Sequence, residues 1–549
     1  IGTVTDATGH YFLKNLPEGN FILEVSSVGY KTVTRNVTLK KGKTLEEDFE
    51  IEEDAIALDG VVVSANRSET TRRMAPTLVN VVDLKLFETT NSSTLSQGVN
   101  FQPGVRVETN CQNCGFQQVR INGLDGPYTQ ILIDSRPVFS ALSGVYGLEQ
   151  IPASMIERVE VMRGGGSALF GSSAIAGTIN IITKEPLRNS GQLSHTITSL
   201  GGSSSFDNNT SLNASLVTDD HRAGLYIFGQ NRYRSGYDYD GDGFTELPKL
   251  KNQTVGFRSY LKTSTYSKLT FEYHHMQEFR RGGDMLNRPP HEAHIAEQLQ
   301  HSIDGGSLKF DYFSPDEKNR LSVFASAANT DRDSYYGPGN DPLKAYGKTT
   351  DLTAMGGAQY VHTFDKCFFM PSDLTAGLEY NRDRLKDNMW GYNRHTDQTV
   401  NIYSAFLQNE WKNDRWGILI GGRLDKHNMV DNVIFSPRAN LRFNPTQNIN
   451  LRLSYSSGFR APQAFDEDMH IENVGGTVAM IERAKDLKEE KSQSFSVSAD
   501  MYHRFGAFQT NLLIEGFYTR LTDVFVLGKP YDRGDGILVK TRSNGPGAK

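Results

Sequence analysis

From Ser190 onward the chain repeats one pattern: segments of alternating polarity joined by connections that are short, then long, then short again. In 449–456, Ile449, Leu451, Leu453 and Tyr455 share one face, and Asn450, Arg452, Ser454 and Ser456 share the other. In 435–444, Phe435, Pro437, Ala439, Leu441 and Phe443 oppose Ser436, Arg438, Asn440, Arg442 and Asn444. A face of arginine and asparagine cannot line a dry core, because buried unpaired charge is too costly. It can line a wet lumen while the opposite face meets lipid. The short connections fall at 218–221, 265–267, 314–319, 412–414, 444–448 and 504–506. The long ones run at 234–251, 278–304, 330–349, 385–397 and 458–491. A membrane barrel has tight turns at one end and extended loops at the other, whereas a soluble sandwich has no reason to segregate them. The fold class read from this is mainly β, an antiparallel transmembrane barrel of about 16 strands.

Size and charge agree. At 549 residues the chain is long enough for two or three domains. Its net charge of −6 gives no basic excess for nucleic acid. No apolar run reaches the 18 residues of a membrane-spanning helix. A barrel leaves no such run, since only every second strand residue faces lipid. Three cysteines, Cys111, Cys114 and Cys367, are too few for a disulfide scaffold.

Before the barrel, residues 119–184 hold three β-branched runs at 130–133, 156–161 and 178–182, bounded by Gly, Pro, Asp or Ser. The triple glycine Gly164, Gly165 and Gly166 requires a tight backbone path, but no GxxxxGK[ST] or GxGxxG spacing makes it a phosphate cradle. Five segments follow one another within about 85 residues. They are FQPGV at 101–105, VRINGL at 119–124, ILID at 131–134, IERVEV at 156–161, and 171–184. In this order they resemble the plug domain of TonB-dependent outer-membrane receptors. SPR at 436–438, GFRAP at 458–462 and SNGPGA at 543–548 resemble the barrel motifs of that family. Its barrels usually have 22 strands, so the resemblance implies that about six C-terminal strands are missing. The chain then reads as a fragment at both ends.

Residues 1–52 run through TVTDATG, YFL, LPEG and FILEV at hairpin spacing, which reads as a small β-sandwich lacking its beginning. It resembles the carboxypeptidase-regulatory-like domain that precedes the plug in receptors of the Bacteroidetes type. The domains read as this sandwich at 1–52, a linker at 53–67, an α/β plug at 68–187 and the barrel at 188–549. An acidic connector at 46–59 leads into Val61, Val62, Val63, Ser64 and Ala65. That stretch is either the first plug strand or, as its position resembles, a TonB box that adds a strand to the sheet edge of the periplasmic partner TonB. A disordered lead-in would keep it available.

The remaining chemistry lies in loops. Cys111 and Cys114 form a CxxC that reads as a disulfide loop in an oxidising compartment, as half of a soft-metal site, or as a redox pair without the βαβ context that one needs. Asp238, Asp240, Asp242 and Glu246 offer oxygen ligands at a spacing that suits Ca2+ or a solvated acidic loop. The related cobalamin receptors have outer-loop calcium. His291 and His294 lie in the densest histidine region, but their spacing is not HExxH. Together with Arg280, Arg281, Tyr335 and Tyr336, they are candidate ligand contacts.

No nucleophile–base pair or complete metal set argues for an enzyme. The resemblance implies a TonB-dependent importer of a scarce, bulky nutrient. A ferric siderophore or related iron chelate comes first; cobalamin or haem comes second. It allows a surface lipoprotein partner and requires no cofactor. The rival from another class is an adhesion or signalling barrel, which would need no TonB box.

Overall fold

The computed structural model describes residues 2–3, 5, 10–13, 16–25, 33–51, 61–68, 70–137, 147–338, 345–474, 477–506 and 508–549. At the N-terminus, Gly19–Val25 and Val33–Leu39 form an antiparallel pair. Of the rest of the expected sandwich, 10–13 and 40–51 are described and form no strand, whereas 1, 4, 6–9, 14–15 and 26–32 lie outside the described residues, as does 52–59 of the acidic connector.

All three β-branched runs of the plug become strands. The four-stranded sheet has the order Val79–Asp83, Ile156–Arg163, Gly177–Thr183, Thr129–Ile133, with only the last pair parallel. Alternate residues Ile131, Ile133, Val159, Val161, Ile179 and Ile181 enter one core with Phe87, Leu95 and Val99 from two short helices. The first helix, Leu84–Thr89, is capped by Asp83, whose carboxylate accepts the amide of Leu86. A separate hairpin, Val105–Cys111 with Phe116–Ile121, carries the CxxC at its turn.

Fifteen antiparallel strands, from Ser190–Ser199 to Phe508–Thr522, form the wall, each paired with the next. The expected count was about 16. The last long strand, Leu538–Asn544, leaves the wall and pairs in parallel with Thr477–Arg483 from a long loop. There Ile537 joins Val478 and Met480 in a buried cluster, an apolar gain that a lumen-facing position would not offer. Among the described residues the first and last wall strands do not pair with each other, so the sheet keeps two edges.

The wall's two faces differ as the alternation requires. Leu378, Leu407, Leu424, Leu453 and Val497 point outward and exposed, Leu378 by 66%. Arg423, Asn440, Arg442 and Arg452 point inward and are buried. Beside the short turns stand exposed aromatics: Tyr266, Phe313, Phe369, Trp416 and Phe508. An aromatic girdle of this kind marks a membrane–water interface.

The plug fills the curvature. Arg452 donates to the carbonyls of Ala75 and Arg72, Arg423 donates to that of Leu169, and Arg163 pairs with Glu515 on the final wall strand. The triple glycine serves this packing: a Cβ at Gly165 would overlap the hydroxyl of Ser456.

Candidate functional site

Two regions of the plug carry the features that the sequence singled out, one toward the short turns and one beneath the long loops. Toward the short turns, Val61–Val62 pair with Thr70–Thr71. Val62 and Ala65 are buried in an apolar cluster with Val79, Leu132, Met162 and Leu169. A single carboxylate oxygen, Oε2 of Glu160, accepts from the amides of Val63 and Ser64, at 2.9 Å each, and from the Ser64 hydroxyl at 2.7 Å. Arg158 donates to the other oxygen of Glu160 at 3.0 Å. Wall residues hold the same segment: Arg438 donates to the carbonyl of Ala65, and Asn66 donates to Glu410. The stretch expected to be available for strand addition is therefore docked, with only Val61 well exposed. Its buried side chains fit the plug core and its amides match a buried carboxylate. Beside it lies a cavity of about 440 Å³ lined by Val63, Arg67 and Ser68 of the segment and by Arg258 and Arg320 of the wall.

Plug and wall meet through charge as well as through apolar contacts of Tyr226, Phe228 and Leu521. Glu149, on the short helix Gly147–Gln150, lies 3.1 Å from Arg232, 2.9 Å from Arg234 and 2.8 Å from Arg280. Burial would raise its pKa, but Arg234, Arg280 and Arg232 outweigh burial and hold the carboxyl far below its ordinary value. Arg280 thus belongs to the seam between plug and wall. Its neighbour Arg281 donates to the carbonyls of Gly282 and Asp284. Buried ion pairs roughly cancel their own desolvation cost. This seam therefore orients the plug within the wall while adding little net stability.

At the long-loop end, the CxxC turn meets two residues that no local motif announces. Cys111 Sγ lies 3.2 Å from Oε2 of Glu297, near the loop end of wall strand Ile295–Phe313. Cys114 Sγ lies 3.6 Å from Nε2 of His470, and that nitrogen lies 3.5 Å from Glu297. The four ligand atoms all lie within 4.8 Å of one another, and neither cysteine is in a disulfide. The edges of Phe116 and Tyr336, each 5.5 Å from the imidazole, hold the His470 ring. The hairpin approaches so closely that a Cβ at Gly282 would overlap the carbonyl of Asn113. A hydrogen bond with Cys114 pulls the Cys111 thiol below its ordinary pKa against the effect of burial. Burial would lower His470, but hydrogen bonds with Cys111 and Glu297 prevail and raise it.

Of the other sequence candidates, Tyr335 and Tyr336 are buried beneath the loops. His291 bonds to the hydroxyl of Tyr346 at 2.8 Å, and His294 pairs with Asp284 at 2.6 Å, so the dense histidine region does not gather into one cluster. In the acidic loop, Asp238, Asp240 and Glu246 converge while Asp242 stands outside that group. The loop's own amides engage these carboxylates: Gly241 and Gly243 donate to Asp238, and Tyr239 donates to Glu246. Sequence reasoning missed Glu149, Glu297 and His470 outright. Glu160 was in view as part of IERVEV, but nothing in the sequence indicated its partners.

Comparison with known proteins follows the same division. A family model described as TonB dependent receptor-like, beta-barrel, matches residues 177–543. One for the TonB-dependent Receptor Plug Domain matches 71–178, and one for a CarboxypepD_reg-like domain matches 1–63. The vitamin B12 transporter BtuB of Vibrio vulnificus strain CMCP6 is 24% identical over 425 residues, covering 74% of this chain and 64% of the relative. BtuB of strain YJ016 is 33% identical over 174 residues, covering 31% and 28%. The chain thus spans less than two thirds of either relative. Among solved structures, the siderophore receptor PirA from Acinetobacter baumannii has a TM-score of 0.71 at 18% identity, covering 87% of this chain and 77% of that one. A mutant of the ferric enterobactin receptor PfeA from Pseudomonas aeruginosa has a TM-score of 0.70 at 18% identity, covering 87% and 76%.

Proposed function

The chain belongs to the TonB-dependent receptors of the Gram-negative outer membrane, and from that premise we propose that it is an energy-coupled importer of a scarce, metal-bearing nutrient. Members of this family are receptors and transporters, not enzymes. One observation carries the reading. The same small plug holds the Val61–Ala65 segment at the short-turn end and presents the CxxC hairpin under the loops at the other. A pull on the segment by TonB from the periplasm would reach the residues that face the outside. The charged seam at Glu149 supports it, because it orients the plug while adding little net stability.

The names of the relatives support a cargo that is an iron chelate or cobalamin. A ferric siderophore or related iron chelate is the first to test, and cobalamin is the second, followed by haem. The adhesion reading has no use for an apolar segment clipped beside a cavity.

Val62→Pro in the full receptor tests the coupling. Proline removes an amide donor and fixes φ, which spoils strand addition. Uptake should fall to background while cells still bind cargo at the surface. Transport at the normal rate would show that the segment is only a plug strand.

A further inference from the structure

The CxxC hairpin offers two sulfur ligands, which alone make half of a four-coordinate site. The fold supplies the other two from separate parts of the chain: Glu297 from the wall and His470 from the long connection between wall strands Ile449–Arg460 and Glu490–Phe505. A tetrahedral ion with bonds of about 2.3 Å to sulfur and about 2.0–2.1 Å to nitrogen or oxygen holds its ligand atoms about 3.3–3.8 Å apart. The separations of 3.2, 3.6 and 3.5 Å match that frame within a small adjustment. Two thiolates with one imidazole and one carboxylate suit a borderline-soft ion of the zinc class far better than a hard ferric ion.

We propose that Cys111, Cys114, Glu297 and His470 bind a zinc-class divalent ion that clasps the plug's outermost hairpin to the barrel wall and to the outer loop. Four protein ligands form a closed set. Closed sets are structural, whereas an ion to be handed onward or shared with a chelate needs an open position. Burial agrees, since Cys114 is fully buried and Glu297 is 2% exposed. So do the aromatic edges that orient His470 from two sides before any ion arrives. The ion is thus a resident of the receptor and distinct from the cargo proposed above. It sets how firmly the plug apex is joined to the loops.

The test uses the reduced full receptor in detergent, with Co2+ as the spectroscopic probe and Zn2+ as competitor. One Co2+ per chain should bind with a thiolate-to-cobalt charge-transfer band that Zn2+ abolishes. Cys111→Ser with Cys114→Ser should lose the band. His470→Gln and Glu297→Gln should keep a weaker band and raise the dissociation constant at least about tenfold. Unheated electrophoretic mobility checks that each variant is still a folded barrel. Zn2+ should slow hydrogen exchange in 105–121 and in 462–474 of the parent receptor but not of the double-cysteine variant. No band in the reduced protein, affinity unchanged in His470→Gln, or Zn2+ binding without slower exchange would each overturn the clasp. TonB-dependent accumulation of radioactive zinc by cells would also overturn it, by making the ion cargo.

Discussion

Glu160 shows how one side chain can set the availability of a segment far from it in sequence. It sits in the plug strand Ile156–Arg163, fully buried, with one oxygen facing Arg158 and the other facing Val63 and Ser64. Hydrogen bonds to a charged group contribute about 1.5–3 kcal/mol each and neutral ones about 0.5–1.5. Glu160→Gln keeps an acceptor but loses the charge, so undocking should become easier by about 1–3 kcal/mol, or roughly five- to 150-fold. A spin label on Val61→Cys should report a larger mobile fraction, and the periplasmic domain of TonB should bind correspondingly tighter. Unchanged mobility would mean that the apolar contacts of Val62 and Ala65 hold the segment. The segment itself was legible as a short β-branched run. That it lies docked was not, because the amide-accepting carboxylate lies 97 residues from Val63 and looks in the sequence like any polar residue of a plug strand.

At the scale of elements, the short helix Gly147–Gln150 buries Leu148 in the plug core and places Glu149 among three wall arginines. Removing one partner of a buried charge group typically costs about 3–5 kcal/mol, since the remaining charges stay desolvated. Glu149→Gln should therefore loosen the plug's outer half, which faster hydrogen exchange across 147–155 with an intact wall would show. Because the folded pKa is depressed, the stabilisation is fully present above the ordinary carboxylate range and is lost as pH falls below that range toward the depressed value. The exchange rates of parent and variant should converge only in strong acid. The plug strands could be read from β-branched runs bounded by turn residues, and the wall from its period of two. The CxxC gave only half of its cluster. Glu297 lies 186 residues from Cys111, and His470 lies 356 from Cys114 with no motif around it. The dense histidines His291 and His294, which drew attention on spacing, are occupied by Tyr346 and Asp284. Ligand sets built by tertiary contact leave no local trace.

For the molecule as a whole, the wall turns its leucines to lipid and its arginines to the plug. A charged residue on the lipid face near the bilayer midplane costs about 2–4 kcal/mol. Leu378→Arg should lower the wall's unfolding free energy in lipid vesicles by that amount, while the same change at Phe508, in the girdle beside a short turn, should cost about 0–1 kcal/mol. Equal costs would place the membrane at a different height on the wall. The clip at Glu160 has a mechanical meaning beyond its equilibrium strength. The two-residue pairing of Val61–Val62 with Thr70–Thr71 can peel apart one bond at a time under tension. The next three bonds end on a single atom, so they bear load side by side and must fail together. A chain tugged from below would therefore slacken slightly, hold, and then release abruptly. Such a latch has a threshold, so weak thermal tugs would leave the segment docked and only sustained traction would free it.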